Sequence, residues 1–271
     1  MSGQPLRVAG LFRYPVKSLD GEEVHTLNVG PSGAHGDRVF ALFDVLTGRV
    51  LTAKRFPQLL TARACWQDGD AKITLPQEAG SFYASESRAS RVLSNWLGRQ
   101  VRIERRQDSR ATVDYQINPD VSTELTSFDL PKGTFFDTAP LHLITDSSLH
   151  DAARGWPDGD WDPHRFRSNA FLTGSLPPDE QCVPQAVRTE DGWLGCRLAI
   201  GDAVLLVVEK CMRCVMVNYS ADGTPGDPAL FRWLVRHRSG NLGIYAETIS
   251  SGTICHGDRA TVLPPIIAQL S

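Results

Sequence analysis

The chain has 271 residues, 41% of them hydrophobic and 22% charged, with a formal net charge of −3. That apolar content can build one large domain or two modest ones and argues against wholesale disorder. The mild acidity gives no global argument for a nucleic-acid partner or an anionic membrane, so any anion site must be local, and no stretch approaches the roughly 20 apolar residues of a membrane helix. Met1 to Pro5 has neither the basic start nor the apolar run of a signal peptide. Six cysteines are too sparse for a disulfide scaffold. A cytoplasmic protein with free thiols is the expectation.

The first hundred residues read as a β-rich unit. Leu6 to Val16 alternates loosely as a strand. Val39 to Asp44, a turn at Leu46-Thr47-Gly48 and Val50-Leu51-Thr52 together predict a hairpin over 39–52. Ala62–Trp66 and Ala71–Leu75 form a second pair across Asp68-Gly69-Asp70. A helix starts near Ser87 or Ser90, carries Val92, Leu93, Trp96 and Leu97 at helical spacing, and stops at Gly98. Asp108 to Lys132, poor in large apolar residues, reads as a linker.

The second half mixes types. Leu141–Thr145, Ala170–Thr173, Ala203–Val208, Asn241–Ala246 and Ala260–Leu263 are strands. Asp146 or Ser147 is expected to cap a helix to Arg154. Asp227-Pro228 opens another helix with Leu230, Trp233, Leu234 and His237 on one face, ended by Gly240.

The tetrad Cys211-Met212-Arg213-Cys214 follows an apolar strand. A thiolate beside an arginine can hold a metal, attack a disulfide or simply pack. No second close cysteine pair exists among Cys65, Cys182, Cys196 and Cys255, which argues against structural zinc. The apolar run Val215-Met216-Val217 after the tetrad argues against a thioredoxin-like redox pair, which sits at a helix start. A catalytic thiolate and an inert buried pair stay open. Lys17-Ser18, Arg38 and Arg165 to Asn169 put cations at strand ends, where loops converge and where arginine and lysine can clamp phosphate. Glu22-Glu23 and Glu190-Asp191 read as solvated turns, His142 as a core histidine, Cys255-His256 as far short of a metal site, and Trp156 and Trp161 as packing residues.

Taken in order, Tyr14-Pro15-Val16-Lys17-Ser18, Gly36-Asp37-Arg38, Leu51 to Arg55, Leu141 to Leu149, Arg165 to Asn169, Cys211 to Cys214 and Gly252 to Asp258 resemble the MOSC family. More narrowly, it looks like the two-domain members with an N-terminal β-barrel domain, which include the mitochondrial amidoxime reducing component and its bacterial relatives. The resemblance implies a β-rich α+β fold, with an N-terminal MOSC β-barrel domain over residues 1–120. A MOSC domain over 121–271, a β-barrel with peripheral helices, would bind the molybdenum cofactor. It implies Cys214 as molybdenum ligand and catalytic position, with Cys211 as a neighbour. Lys17, Ser18, Arg38, Thr145, Ser147, Arg167, Asn169 and Arg213 are the implied contacts to the molybdopterin. It further implies a molybdenum-dependent oxidoreductase acting on small N-oxygenated substrates. No four-cysteine cluster pattern is present, so electrons are expected from a separate ferredoxin- or cytochrome-type protein with its reductase. The alternative is a molybdopterin-binding or sulfur-carrier protein without redox turnover, with a persulfide on Cys214 that Cys211 could resolve.

Overall fold

The computed structural model describes residues 5–76, 80–107, 110–115, 125–175, 189–220 and 226–265. Cys182 and the expected domain boundary at 120/121 lie outside them. The strands of the first half are β1 (Arg7–Arg13), β2 (Glu22–Glu23), β3 (Thr26–Gly30), β4 (Gly33–Ala34), β5 (Phe40–Asp44), β6 (Arg63–Gln67), β7 (Asp70–Thr74), β8 (Ser81–Tyr83), β9 (Val101–Arg105), β10 (Thr112–Tyr115) and β11 (Thr126–Asp129). Those of the second half are β12 (Leu141–Thr145), β13 (Ala170–Thr173), β14 (Arg197–Ile200), β15 (Ala203–Met212), β16 (Asn241–Ser250), β17 (Gly252–Cys255) and β18 (Ala260–Leu263). Among the described residues three helices, α1 (Ala89–Leu97), α2 (Asp146–Gly155) and α3 (Leu230–Arg238), lie between these strands. The fold is a β-rich α+β, as the sequence indicates.

One eight-stranded sheet runs β18-β14-β15-β16-β12-β13-β1-β2. Its edge on one side comes from the start of the chain: β1 pairs antiparallel with β13, Leu11 opposite Ala170. β3 likewise pairs with β17, Leu27 opposite Ile254. Alternate residues Leu6, Val8, Leu27 and Val29 therefore join Leu143, Leu172, Leu198, Leu205 and Ile244 in one core. A second core is built from the first half, gathering Val16, Leu19, Phe40, Leu42, Ile73, Phe82 and Leu93, and Met216 and Tyr219 of the second half pack against it. The β12–β13 pair is parallel. Parallel neighbours need a long crossover, and residues 146–169 supply it, carrying α2 and a 3-10 turn at Pro163–Phe166.

Several expectations hold and several shift. β6 and β7 pair across Asp68-Gly69, with Gly69 at φ 80. α1 ends at Gly98 in the left-handed region, its N–H bonded to the helix carbonyls. Its serines do not cap it. Ser90 accepts from Ile103 N, and Ser94 Oγ both accepts from Val101 N and donates to Val101 O, tying α1 to β9. Residues 49–51 fold back on β5 through Leu51 N to Leu42 O at 2.7 Å and the Phe43–Val50 bridge. The main partner of β5 is instead β9, sixty residues on, with Leu42 opposite Ile103. All five β5 residues are buried, so both edges need a ladder, and a hairpin supplies only one.

The expected linker is corrected: β10 and β11 form a hairpin inside it, Thr112 opposite Asp129. Ala111, Val113, Phe128 and Leu130 pack with Phe43, Val50 and Phe135. The period-two spacing was there, in a background too polar to stand out. The cap of α2 is Thr145, whose Oγ accepts from Ser148 N at 3.2 Å, not Asp146 or Ser147. Asp227 accepts from Ala229 N, and α3 begins only at Leu230, so Pro228 lies before its first turn.

Glu190 is also corrected. It is fully buried, not solvated. Thr145 Oγ1 and Ser148 Oγ donate to its carboxylate at 2.5 Å each. Burial pushes its carboxyl above the ordinary glutamate range despite those bonds. The folded state therefore holds the proton more tightly than the unfolded chain, and stability declines as pH rises from the ordinary glutamate value through the raised one. Glu190→Gln is expected to remove that decline. Urea denaturation of both proteins from mildly acid to neutral pH checks it; parallel curves would refute the assignment.

Candidate functional site

A cavity of about 690 Å³ opens where the two halves of the chain meet. Lys17, Ser18, Arg38, Lys54 and Arg55 line it from one side, and Asp137, His142, Arg165 to Arg167, Met212 to Met216 and Tyr245 from the other. Of the residues singled out by sequence, Lys17, Ser18, Arg38, Arg167, Arg213 and Cys214 are brought together here. Thr145, Ser147 and Asn169 are not among the lining residues. Thr145 caps α2, and Ser147 Oγ faces Asp146. Asn169 is a buried brace, Oδ1 accepting from His142 N at 3.1 Å and Nδ2 donating to Phe12 O at 3.3 Å.

The backbone shows how the cations are aimed. Five described non-glycine residues have positive φ, and three of them are Ser18 (φ 70), Arg38 (φ 50) and Arg167 (φ 54). Each such residue costs on the order of 1–3 kcal/mol, a strain that clusters at functional sites. Arg38 N donates to Tyr14 O at 2.7 Å, and its guanidinium pairs with Asp37. Arg167 follows the 3-10 turn as its left-handed cap, and its Nη2 donates to Leu19 O at 2.7 Å. Both guanidinium carbons lie over the ring of Tyr14, at 5.2 Å for Arg38 and 4.2 Å for Arg167.

Lys17 is almost wholly buried and donates to Phe135 O at 2.8 Å and to Asp137 Oδ1 at 2.5 Å. Lys54 reaches the other oxygen of Asp137 at 3.3 Å. Burial would raise the Asp137 carboxyl, but the two ammonium charges outweigh it and hold the group far below the usual carboxylate range. Burial lowers the Lys17 ammonium, and Asp137 opposes that change.

The two cysteines of the tetrad differ. Cys211 is fully buried at the end of β15, whereas Cys214 is half-buried on the cavity wall. Arg213 explains the contrast. Its Nη1 donates to Cys211 Sγ at 2.8 Å and its Nη2 to Phe166 O at 2.8 Å. Burial raises the Cys211 thiol, with Arg213 and the Tyr245 hydroxyl pulling the other way. Cys214 begins the 3-10 turn Val215–Asn218 and makes no side-chain cap bond. Arg165 locks that turn in place: Nη1 donates to Val217 O at 2.7 Å and Tyr219 O at 3.3 Å, and Nη2 pairs with Asp160. The loops bearing Arg167 and Cys214 are thus pinned together.

His142 is a buried histidine, as read, but it also lines the cavity, with Nε2 3.4 Å from Arg213 Nη1. Burial, and then the Arg213 charge, hold it well below the usual histidine range. Gly243, at φ 85, lets β16 pass it: a Cβ there would lie 2.5 Å from His142 Nε2. Trp156 and Trp161 pack, Trp161 stacking on Phe166 at 6.2 Å and meeting Trp233 edge-on at 5.1 Å. Asp137, Tyr14, Tyr245 and Phe128 escape a sequence reading. Only Tyr14 sits in a motif that could have drawn attention to it; Asp137 is 120 residues from the lysine it pairs with.

Residues 5–127 match the family model of the MOSC N-terminal beta barrel domain, and residues 131–261 match that of the MOSC domain. Molybdenum cofactor sulfurase of Danio rerio is 24% identical over 289 residues, covering 94% of this chain and 33% of its own length. The Arabidopsis thaliana molybdenum cofactor sulfurase is 24% identical over 245 residues, covering 76% of this chain and 28% of its own. The chain thus spans about a third of the length of these curated relatives. Among solved structures, the YUAD protein from Bacillus subtilis aligns over 96% of this chain and 97% of its own, at 13% identity and a TM-score of 0.46. No helix among the described residues is long and apolar enough to cross a membrane. The two matches follow each other in order along nearly the whole chain, and the protein belongs to the MOSC family, an N-terminal MOSC beta barrel joined to a MOSC domain and distantly related to the molybdenum cofactor sulfurases.

Proposed function

We propose that this protein is a molybdenum-cofactor oxidoreductase that reduces small N-oxygenated molecules with electrons from a separate ferredoxin- or cytochrome-type donor. The observation that carries the reading is the donor set of the cavity. One half-buried thiol, Cys214, stands beside buried guanidinium nitrogens, Arg167 Nη1 and Arg213 Nε, that no protein atom satisfies. Buried unpaired donors of positive charge call for an anion. Among the described residues no three His, Cys, Asp or Glu side chains gather to hold a metal. A metal at Cys214 must therefore bring its other ligands, and a thiolate selects a soft partner. A molybdenum atom carried on a phosphorylated dithiolene meets both demands.

When bound, the cofactor supplies two-electron chemistry, removing oxygen from an N–O bond with release of water. Cys214 ligates the metal and tunes it. Lys17, Ser18, Arg38 and Arg167 hold the phosphate, with residues 1–120 as the barrel domain and 121–271 as the cofactor-binding domain. Arg213 orients the tetrad by holding Cys211 and Phe166. Thr145, Ser147 and Asn169 act behind this layer, as cap, neighbour and brace. Protons arrive through water.

Expression in a host that makes molybdopterin is expected to yield about one molybdenum per chain, given the single thiol at the site, and protein that reduces an amidoxime when supplied with a chemical reductant. The sulfur-carrier reading draws on the names of the two curated relatives. Protein without molybdenum but with a labile sulfur adduct on Cys214 by mass spectrometry would establish it and end the reductase reading.

A further inference from the structure

Arg38 and Arg167 present a physical problem. Two like charges on different halves of the chain sit close enough for Arg38 Nη2 to reach Arg167 O at 3.5 Å. Both occupy left-handed backbone that a non-glycine residue adopts only under tertiary constraint. Arg167 is held by Leu19 O through Nη2, and its Nη1 is buried without a protein partner. Asp37 serves Arg38 and accepts from Tyr14 N at 2.8 Å. The residue common to both arginines is Tyr14.

Tyr14 is 3% exposed. Its carbonyl accepts from Arg38 N at 2.7 Å, and its hydroxyl donates to Ser168 O, next to Arg167, at 3.4 Å. Its ring underlies both guanidinium groups, at 5.2 and 4.2 Å. An aromatic face attracts cations through its quadrupole, and more strongly when the pair is shielded from water. A neutral ring does so without consuming donors, so Arg167 Nη1 keeps its N–H, whereas the Asp37 carboxylate takes up N–H of Arg38. We propose that Tyr14 is the positioning residue of the anion site, its ring holding Arg38 and Arg167 side by side with Arg167 Nη1 free for a ligand oxygen. This rests on the reading of the two arginines as phosphate contacts. The hydroxyl contributes little, its single bond being long. The ring makes the site.

The test uses the full-length, cofactor-free protein and pyrophosphate as an oxyanion probe, followed by calorimetric titration. The wild type is expected to bind and Arg167→Ala to bind much more weakly. Tyr14→Phe keeps the ring and is expected to stay within about threefold of wild type, whereas Tyr14→Met fills the volume without a π face and is expected to bind about tenfold more weakly, a difference of about 1.4 kcal/mol. A folded Tyr14→Met protein with wild-type affinity overturns the role of Tyr14 while leaving the anion site intact. Equal losses in Tyr14→Phe and Tyr14→Met overturn the ring as the cause. Wild-type protein that ignores pyrophosphate overturns the phosphate reading itself, and Tyr14's role with it. A readout independent of variants is the side-chain NMR spectrum of the wild type. The Nε–H resonances of Arg38 and Arg167 are expected to carry upfield ring-current shifts, and ordinary positions for both would equally refute the proposal.

Discussion

Cys214→Ser is expected to abolish amidoxime reduction, while Cys211→Ser lowers it by no more than about tenfold. The two cysteines are three residues apart and chemically identical, so the difference must come from their surroundings. Cys214 lies half-buried on the cavity wall at the head of a 3-10 turn. Serine there preserves volume and polarity but replaces a soft donor with a hard one. The expected loss exceeds the roughly 10- to 100-fold that outer-shell changes cost at metal sites, and molybdenum content falls with it. Cys211 is fully buried and faces Arg213 and Tyr245. A serine hydroxyl can still accept from Arg213, so Cys211→Ser should stay within about tenfold, the mild end of outer-shell effects. Activity and metal content measured on both variants decide the matter. Comparable losses in the two, or an active Cys214→Ser protein, would remove Cys214 from the role of ligand.

The second large effect is expected at Asp137, where stability and ligand affinity move in opposite directions. Asp137 neutralises Lys17, whose side chain is 7% exposed, and also reaches Lys54. Asp137→Asn leaves the Lys17 charge buried against a weaker acceptor. Removing one partner of a fully buried pair costs about 3 to 5 kcal/mol. The Asp137 side chain is 34% exposed, which lowers the expectation to about 2 kcal/mol once solvent screening is counted. The sign with pH follows from the depressed carboxyl. Asp137 contributes stability above the ordinary aspartate range, and that contribution is lost as pH falls through its lowered value. The variant lacks this acid-dependent part. Meanwhile the one carboxylate among the described residues of the cavity lining is gone and Lys17 loses its counter-charge, so pyrophosphate should bind more tightly. Chemical denaturation and anion titration on the same preparation read both effects. A variant as stable as wild type, or one with weaker anion binding, contradicts the reading of Asp137 as the counter-charge of the anion site.

Much of the local structure was legible in order along the chain. The β6–β7 hairpin, α1 with its glycine stop and the strand before the tetrad all follow from periods of two or 3.6 residues and from turn chemistry within a dozen positions. The basic motifs were legible as strand-end cations, and six of the nine residues expected at the site do line one cavity. The other three, Thr145, Ser147 and Asn169, share the motifs but point into the supporting structure, a distinction of side-chain direction that spacing does not carry.

By itself, then, the sequence determined the β-rich class, the succession of elements and the chemical types available to the site. Only the tertiary structure decided which residues meet. β1 takes its place beside β13 and β3 beside β17, because the apolar faces of the first strands find a matching core in the second half. That pairing brings Tyr14 under Arg167, and the chain's return across it sets Lys17 against Asp137. Glu190 looked like a solvated turn and is sealed under α2. The left-handed backbone at Ser18, Arg38 and Arg167 is set by contacts distant along the chain. The same holds for the asymmetry of Cys211 and Cys214: identical side chains in one tetrad are told apart only by the arginine, tyrosine and open wall that the fold places around them.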